Sequence, residues 1–506
     1  MKQTAKKPLR ILLELRPALG GHAGIPQATR LLFRSLSLLD GVEVEGLLQS
    51  GEKLLRSGLP QNGPSTLWPM SSDQKLNRLG RVVIAIEQGV WNSPVYIALH
   101  TVVMAVKHIF GGKQHLTLFD PHHFQDFIWR RFFARTLPPE DFNIVTRAAF
   151  RIARIPWNAM HICALVTNKV GFALYPRLDT SKFDVMIAET PYPAKVARNT
   201  KLIVRYHDAI PMLMPHTIID RRFHQAFHYR ALRNNVNNGA WFACVSDATR
   251  KDLLSIFPQV EARSLTIHNV VSHDYFLEDS NANRVLDIVK TRCNERIRRP
   301  LDTRLKGQAL ERLVEDGVFD YLIIVSTIEP RKNHLNLLTA WERLRAEGFP
   351  KLKLIVVGAL GWHHKKIVKK FAPWLERGDI CLLEDVLASE LRLLYRHAKA
   401  TVCPSFGEGF DFSGVEAMKS GGVVVASDIP VHREIYADAA EYFNPYSVDE
   451  IMLAVRRVIA PEQLHRHEEL GREGANIAAR YSHEKILPLW RALLESAATE
   501  VETCKI

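Results

Sequence analysis

The chain has 506 residues, enough for two or three domains with cores of their own, and its 47% apolar and 24% charged composition excludes an extended disordered protein. A net charge of +13 favours a polyanionic neighbour, whether anionic lipid, nucleic acid or a phosphorylated substrate. Six cysteines lie far apart with no CxxC pair, so neither a zinc site nor a disulfide framework is indicated and a reducing cytoplasm is the simplest compartment.

The basic N-terminus is followed by the short run "RILLEL" (10–15), broken by Glu14, Arg16 and Pro17; it reads as a first strand rather than a signal peptide. A Gly/Pro turn leads into "PQATRLLFRSLSLL", whose Ala28, Leu31, Leu32, Ser35, Leu36 and Leu39 recur at helical spacing, and "VEVEGLL" (42–48) follows as a second strand. Residues 78–183 then interrupt the alternation with 13 Lys and Arg against 6 Asp and Glu, interleaved with aromatics. Two readings stand side by side: a helical insertion with solvated basic faces, or a membrane-surface or lipid-acceptor platform, since arginines with aromatics suit the headgroup boundary. Nucleic acid is not expected, because no recognisable binding module accompanies the charge. Within this region "VYIALHTVVMAVKHIF" (95–110) is too short and too interrupted by His100, Lys107 and His108 to span a bilayer, and reads as a helix lying on something.

Further strands follow at 184–189, 201–206, 241–246 and 264–270. A second series runs through 320–326, 351–358, 379–384, 398–404 and 422–427, with amphipathic helices between. Near-continuous apolar strands separated by such helices imply two doubly wound parallel α/β domains, with the charged stretch 288–313 between them. Ligands of such folds bind at the C-terminal ends of strands, here the cleft between domains.

Four sites fall at those ends. "GGHAGIPQ" (20–27) places Gly21 and Gly24 before a helix N-terminus, a seat for an anion. "HDAIP" puts His207 and Asp208 after "LIVRY". "STIEPRKNH" (326–334) sets Glu329, Arg331 and Lys332 in a proline-fixed turn from which two cations reach a pyrophosphate. Last is "CPSFGEGFDFSGVEAM" (403–418), where the amides from Gly409 through Gly414 are expected to meet phosphate, with Glu416 in the first turn of the following helix. Carboxylates at Glu408 and Glu416 on either side of an amide-rich loop suit a ligand that is anionic in the middle and hydroxylated at both ends, as a sugar nucleotide is.

Taken together, "GGHAGIPQATRLL", "YHDAIP", "VSDATRKDLL", "VSTIEPRKNHLNLLTAW", "LIVVGALGW" and "PSFGEGFDFSGVEAMKSGGVVVASDIPVHREI" resemble the retaining family 4 glycosyltransferases of the GT-B fold, strongly over about 320–447 and not at all over 78–183. The resemblance implies an acceptor-side domain over 1–290, a donor nucleotide-sugar domain over 314–480 and a terminal helix (481–506) crossing back to the first domain. It implies Glu416 at the donor ribose, Glu408 and His207 at the transferred sugar, and Lys332 with Arg331 at the diphosphate. Gly409, Phe410, Asp411, Gly414 and Ser326, with Gly21 and Gly24, are expected to line the donor site. No metal or other cofactor is expected. The favoured donor is GDP-mannose or a related deoxysugar nucleotide, and the expected acceptor is a growing cell-surface polysaccharide or lipid-linked oligosaccharide. The expected location is cytoplasmic, peripheral on the inner face of the plasma membrane. A sugar-nucleotide epimerase and a non-catalytic membrane-docking scaffold are the alternatives. Three positions depart from the family pattern: Ser326 replaces a common arginine, Val423 a common proline, and Asp411 a common glycine, an extra negative charge expected to weaken donor binding unless it turns away.

Overall fold

A computed structural model describes residues 7–22, 24–60, 70–88, 94–168, 173–218, 221–294 and 317–503. Its strands are, in chain order, β1 (Leu9–Glu14), β2 (Val42–Leu48), β3 (Lys113–Gln114), β4 (Thr117–Phe119), β5 (Phe150–Ile152), β6 (Arg177–Leu178), β7 (Val185–Ala188), β8 (Lys201–Tyr206), β9 (Trp241–Cys244) and β10 (Ser264–Thr266). They continue with β11 (Tyr321–Val325), β12 (Lys353–Val357), β13 (Ile380–Leu383), β14 (Ala400–Cys403), β15 (Val424–Ser427) and β16 (Ala440–Phe443). Among the described residues the first sheet runs β10-β9-β8-β7-β1-β2-β5-β4 and the second β13-β12-β11-β14-β15-β16. Pairing is parallel throughout both except where β4 runs antiparallel to β5 at the edge. Runs such as "LIIV" and "KLIVV" have no polar face to offer water, so helices cover both sides of each sheet and the strand residues are buried.

The 78–183 region is not purely helical. Its "FRI" run becomes β5, seated beside β2, and the chain adds β4 outside it. Arg151 of β5 is buried, with its Nε 2.5 Å from Glu45 of β2. Arg130 pairs with Asp126 and Arg131 with Glu87, so the arginines of this stretch do not present one basic face.

The helix Asn283–Asn294 packs against β13 and the helix Ala388–His397, with Arg292 bound to Glu390. It therefore lies with the second sheet, although a first domain ending at 290 was expected to include it. Residues 295–313 of the expected boundary lie outside the described residues. The terminal helix His483–Thr503 packs on the first sheet, its Trp490 buried beneath the Arg205 guanidinium at 5.2 Å. The chain thus returns to the first domain and straps the two sheets with their C-terminal strand ends facing.

Candidate active site

The turn 20–22 and Gly24 open the site from the first domain. The turn is held from behind by Arg30, fully buried on the helix Ile25–Ser37, which donates to the carbonyls of Ala18, Gly20, Gly21 and Phe132 and to Thr136 Oγ1 at 2.7–2.9 Å. Burial lowers the Arg30 pKa to about 9. With its carbonyls tied down, the loop turns its other side outward: a Cβ at Gly21 or Gly24 would meet nothing within 4 Å, and Gly24, at φ 69°, caps the helix. His22 reaches across to Asp385 of the second domain at 3.0 Å.

At the ends of β1, β7 and β8, three polar groups break otherwise apolar strands. Glu14 and Glu189 are fully buried; the Glu189 amide donates to Glu14 Oε2 at 3.0 Å, and Arg16 binds Glu14 at 2.7 Å. Burial raises the Glu14 pKa against the pull of Arg16. His207 Nε2 lies 3.0 Å from Glu189 Oε2, while the buried Glu189 Oε1 has no hydrogen-bond partner. Glu189 and His207 line a cavity of about 570 Å³ whose first-domain wall also includes Arg16, Trp157 and Arg205, and whose second-domain wall is Arg331 and Trp362.

On the facing side, Lys332 Nζ donates to Glu408 Oε1 at 2.5 Å and the Arg331 guanidinium sits 2.9 Å from Glu408 Oε2. Burial works to raise the Glu408 carboxyl, but Arg331 and Lys332 outweigh it and hold it below the usual range. Arg331 also binds Glu329 and the Gly407 carbonyl. Its charge is spent fixing the loop that carries Glu408, which leaves Lys332 as the cation more readily drawn to a diphosphate. Ser326, where relatives carry arginine, contacts His334 at 3.3 Å and supplies no charge.

The 407–416 segment differs from expectation at Gly409, Gly414, Phe410 and Glu416, while Asp411 takes the allowed course of turning away. Gly409 is needed for close approach to protein: a Cβ there would lie 1.8 Å from the His207 carbonyl oxygen. Gly414 sits inside the helix Phe412–Lys419 against the Tyr436 ring, 2.3 Å from a notional Cβ, so its glycine serves helix packing rather than phosphate approach. The Phe410 ring is buried among Phe412, Tyr481 and His268, in the junction of the domains rather than toward a ligand. Asp411 has φ 61°, a left-handed conformation that accounts for the family's glycine there. Its carboxylate accepts from Ser413 and pairs with the fully buried His432 at 3.1 Å. Burial opposes ionisation of Asp411, yet the bond from His432 and the nearby Lys332 hold its pKa well below the usual range. The extra charge turns inward, as a helix cap.

Glu416 lies in the second turn of that helix, not the first, because the helix begins at Phe412. It is buried. Gln27 of the first domain donates to its Oε1 at 2.5 Å and Tyr395 to its Oε2 at 3.3 Å. Burial pushes its pKa up to about 7 against those bonds. Sequence reasoning missed Gln27, Glu14, Arg16 and Glu189, though the signal was present: an acid ending an apolar strand, in "RILLE" and in "VMIAE", is costly unless it has work at the strand end.

Residues 308–476 match the family described as glycosyl transferases group 1. The serotype-specific mannosyltransferase WbdA of Escherichia coli is 33% identical over 147 residues, 29% of this chain and 18% of that protein. The O-antigen chain mannosyltransferase B of the same organism is 35% identical over 131 residues, 26% of this chain and 34% of that one. The chain thus spans well under two thirds of the length of these relatives. Among solved structures, sucrose-phosphate synthase of Thermosynechococcus elongatus superposes with a TM-score of 0.56 at 13% identity over 96% of this chain and all of that one. The trehalose 6-phosphate synthase of Burkholderia multivorans superposes at 0.52 and 11% identity over 99% of both chains. The fold is GT-B, two Rossmann-like domains facing a cleft.

Proposed function

With residues 308–476 placed in the glycosyl transferases group 1, we propose that the protein moves a hexose, mannose by preference, from a nucleotide sugar such as GDP-mannose to a growing cell-surface polysaccharide or lipid-linked oligosaccharide. The observation that carries this reading is the Lys332–Glu408 pair on a loop that touches the His207 backbone, beside the cavity holding the Glu189–His207 pair. The mannosyltransferases among its relatives favour the sugar. In this scheme Lys332 leaves Glu408 for the donor diphosphate and neutralises the charge that develops as the bond from the anomeric carbon to phosphate breaks. Glu408, released, accepts hydroxyls of the transferred sugar, and Glu416 accepts those of the ribose. The acceptor hydroxyl forms the new bond from the face the leaving group departs, gives its proton to the departing phosphate, and the anomeric configuration is retained. The scheme assigns no step to a metal.

Thermal shift against a panel of nucleotide sugars tests the donor. GDP-mannose is expected to raise the melting temperature by mass action, and Lys332→Ala to remove most of that rise measured from the variant's own ligand-free melt, which loss of the Glu408 pair lowers. A panel in which no nucleotide sugar shifts the melt refutes the donor assignment. A uridine or adenosine diphosphate sugar shifting it alone refutes GDP-mannose.

A further inference from the structure

The helix Pro94–Ile109 and its extension carry an apolar stripe that the protein leaves uncovered. Leu99, Val102, Val103, Val106 and Phe110 are all exposed, Val102 at 58% and Phe110 at 85%. At about 100° per residue these positions fall on one face, spanning roughly a quarter to a third of the circumference. Met104, on the opposite side, is 1% exposed, so the helix is anchored by its other face. The stripe is continued by Ile162 and Val166, exposed on the helix Trp157–Asn168 against which it packs. Among the described residues no helix is long and apolar enough to cross a membrane.

Beside the stripe lies a cavity of about 260 Å³ at the ends of β2 and β5. Its rim carries His100, Lys107, Lys113, His115 and Arg154, with the Asp179 carboxylate 3.0 Å from His115 as the acid beside them. Lys107, Lys113 and Arg154 are exposed. The cavity floor, which includes Met104, Leu116 and Met160, is apolar. An apolar stripe flanked by a basic hollow fits the boundary of a bilayer whose surface is anionic: acyl chains meet the stripe, and a phosphate with its glycerol meets the hollow. The helix Trp157–Asn168 also separates this hollow from the active-site cavity, lending Met160 to one and Trp157 and His161 to the other.

We propose that the 99–110 stripe and the adjoining basic hollow form a docking surface for a bilayer containing anionic phospholipid. Docked there, the protein would hold the cleft cavity one helix away from the membrane. Vesicle binding needs no nucleotide sugar and so stands apart from the donor assignment.

Cosedimentation of the whole chain tests it, with vesicles of phosphatidylcholine alone and of phosphatidylcholine mixed with phosphatidylglycerol. The wild type is expected to pellet with the mixed vesicles, less so as salt is raised, and only weakly with the neutral ones. Val102→Asp with Val106→Asp should abolish pelleting at an unchanged melting temperature, since neither side chain is in the core. Lys107→Glu with Lys113→Glu should lower partitioning onto the mixed vesicles by roughly tenfold or more, at about 1 kcal/mol for each cation near the surface, and leave the weak neutral binding in place. The proposal is overturned if the wild type stays in the supernatant with both vesicles or if either double variant pellets as the wild type does. It is also overturned if light scattering finds a dimer that Val102→Asp with Val106→Asp dissolves, which would make the stripe an interface between copies.

Discussion

Glu416, the proposed acceptor of the donor ribose, shows how burial bears on ligand recognition. A carboxylate that accepts two ribose hydroxyls must be ionised, yet burial between Gln27, Tyr395 and Tyr275 raises this one from the ordinary 4.5 to about 7. The folded, ligand-free protein therefore holds a proton that the unfolded chain has released between those two values. Its stability contribution falls as pH rises from 4.5 through 7 and is level above that. Donor affinity runs the other way. If only the ionised form binds, affinity should drop about tenfold for each pH unit below the folded pKa. Calorimetric titration of the nucleotide between pH 5.5 and 8.5 is expected to give that slope, flattening above 7, and Glu416→Gln should bind weakly with no slope at all. A wild-type affinity that is flat across the range removes the ribose role, whatever the donor proves to be. Arg30 makes the complementary point: it touches no ligand, yet the position of the 20–22 turn depends on the five bonds it donates.

At the scale of elements, the helix Phe412–Lys419 turns on Asp411. A left-handed residue is required to leave β14 and start the helix, and glycine meets that requirement without a side chain; Asp411 meets it while capping Ser413 and pairing with His432. Asp411→Gly should keep the backbone path and lose the cap and the buried pair, lowering stability by about 1–3 kcal/mol in thermal or urea melts. Donor affinity should stay within a factor of about two, a change of about 0.4 kcal/mol, because the cap faces inward. A loss of donor binding with an unchanged melt would instead make Asp411 a ligand contact. That Asp411 was legible as an oddity, but not as a cap, reflects where the information lies. The strands β1, β2, β7 to β9 and β11 to β15 were readable because continuous apolar runs declare themselves locally. The three-residue β5 was not, because its Arg151 is stabilised by Glu45, more than a hundred residues away. Gly414 looked like a phosphate approach for the same reason: nothing in "FSGVEAM" reveals that Tyr436 lies against it. Loop glycines with a nearby helix start are readable as a site, whereas which of them meets ligand and which meets protein is decided by long-range packing.

Across the whole molecule, several contacts join the two domains over the proposed donor site. Gln27 of the first domain occupies the carboxylate of Glu416, His22 binds Asp385, and Gly409 presses on the His207 carbonyl. At another point Glu434 of the second domain accepts the amides of Asp247 and Ala248 at 2.7 and 2.9 Å, the first of the helix Asp247–Ile256, and binds His268 at 2.8 Å. A carboxylate at a helix N-terminus is favoured by the helix dipole as well as by its bonds. If Glu416 accepts the donor ribose as proposed, Gln27 must first release it, and the apparent donor affinity is then reduced by the fraction of molecules in which the domains have parted. The terminal helix packs on the first sheet, and that strap is expected to limit how far the domains separate. Glu434→Ala removes a latch without touching the donor site. Weakening closure by about 1 kcal/mol multiplies the parted-to-closed ratio roughly fivefold. The variant is expected to show a larger radius of gyration in solution scattering and a donor dissociation constant several-fold lower than wild type, with a turnover that falls because the closed arrangement forms less readily. Adding saturating donor should erase the scattering difference only if the bound state recloses around the nucleotide. A variant with wild-type scattering and wild-type donor affinity would mean that Glu434 merely caps the helix, and that the closed arrangement is set by the terminal strap and the Gly409 contact instead.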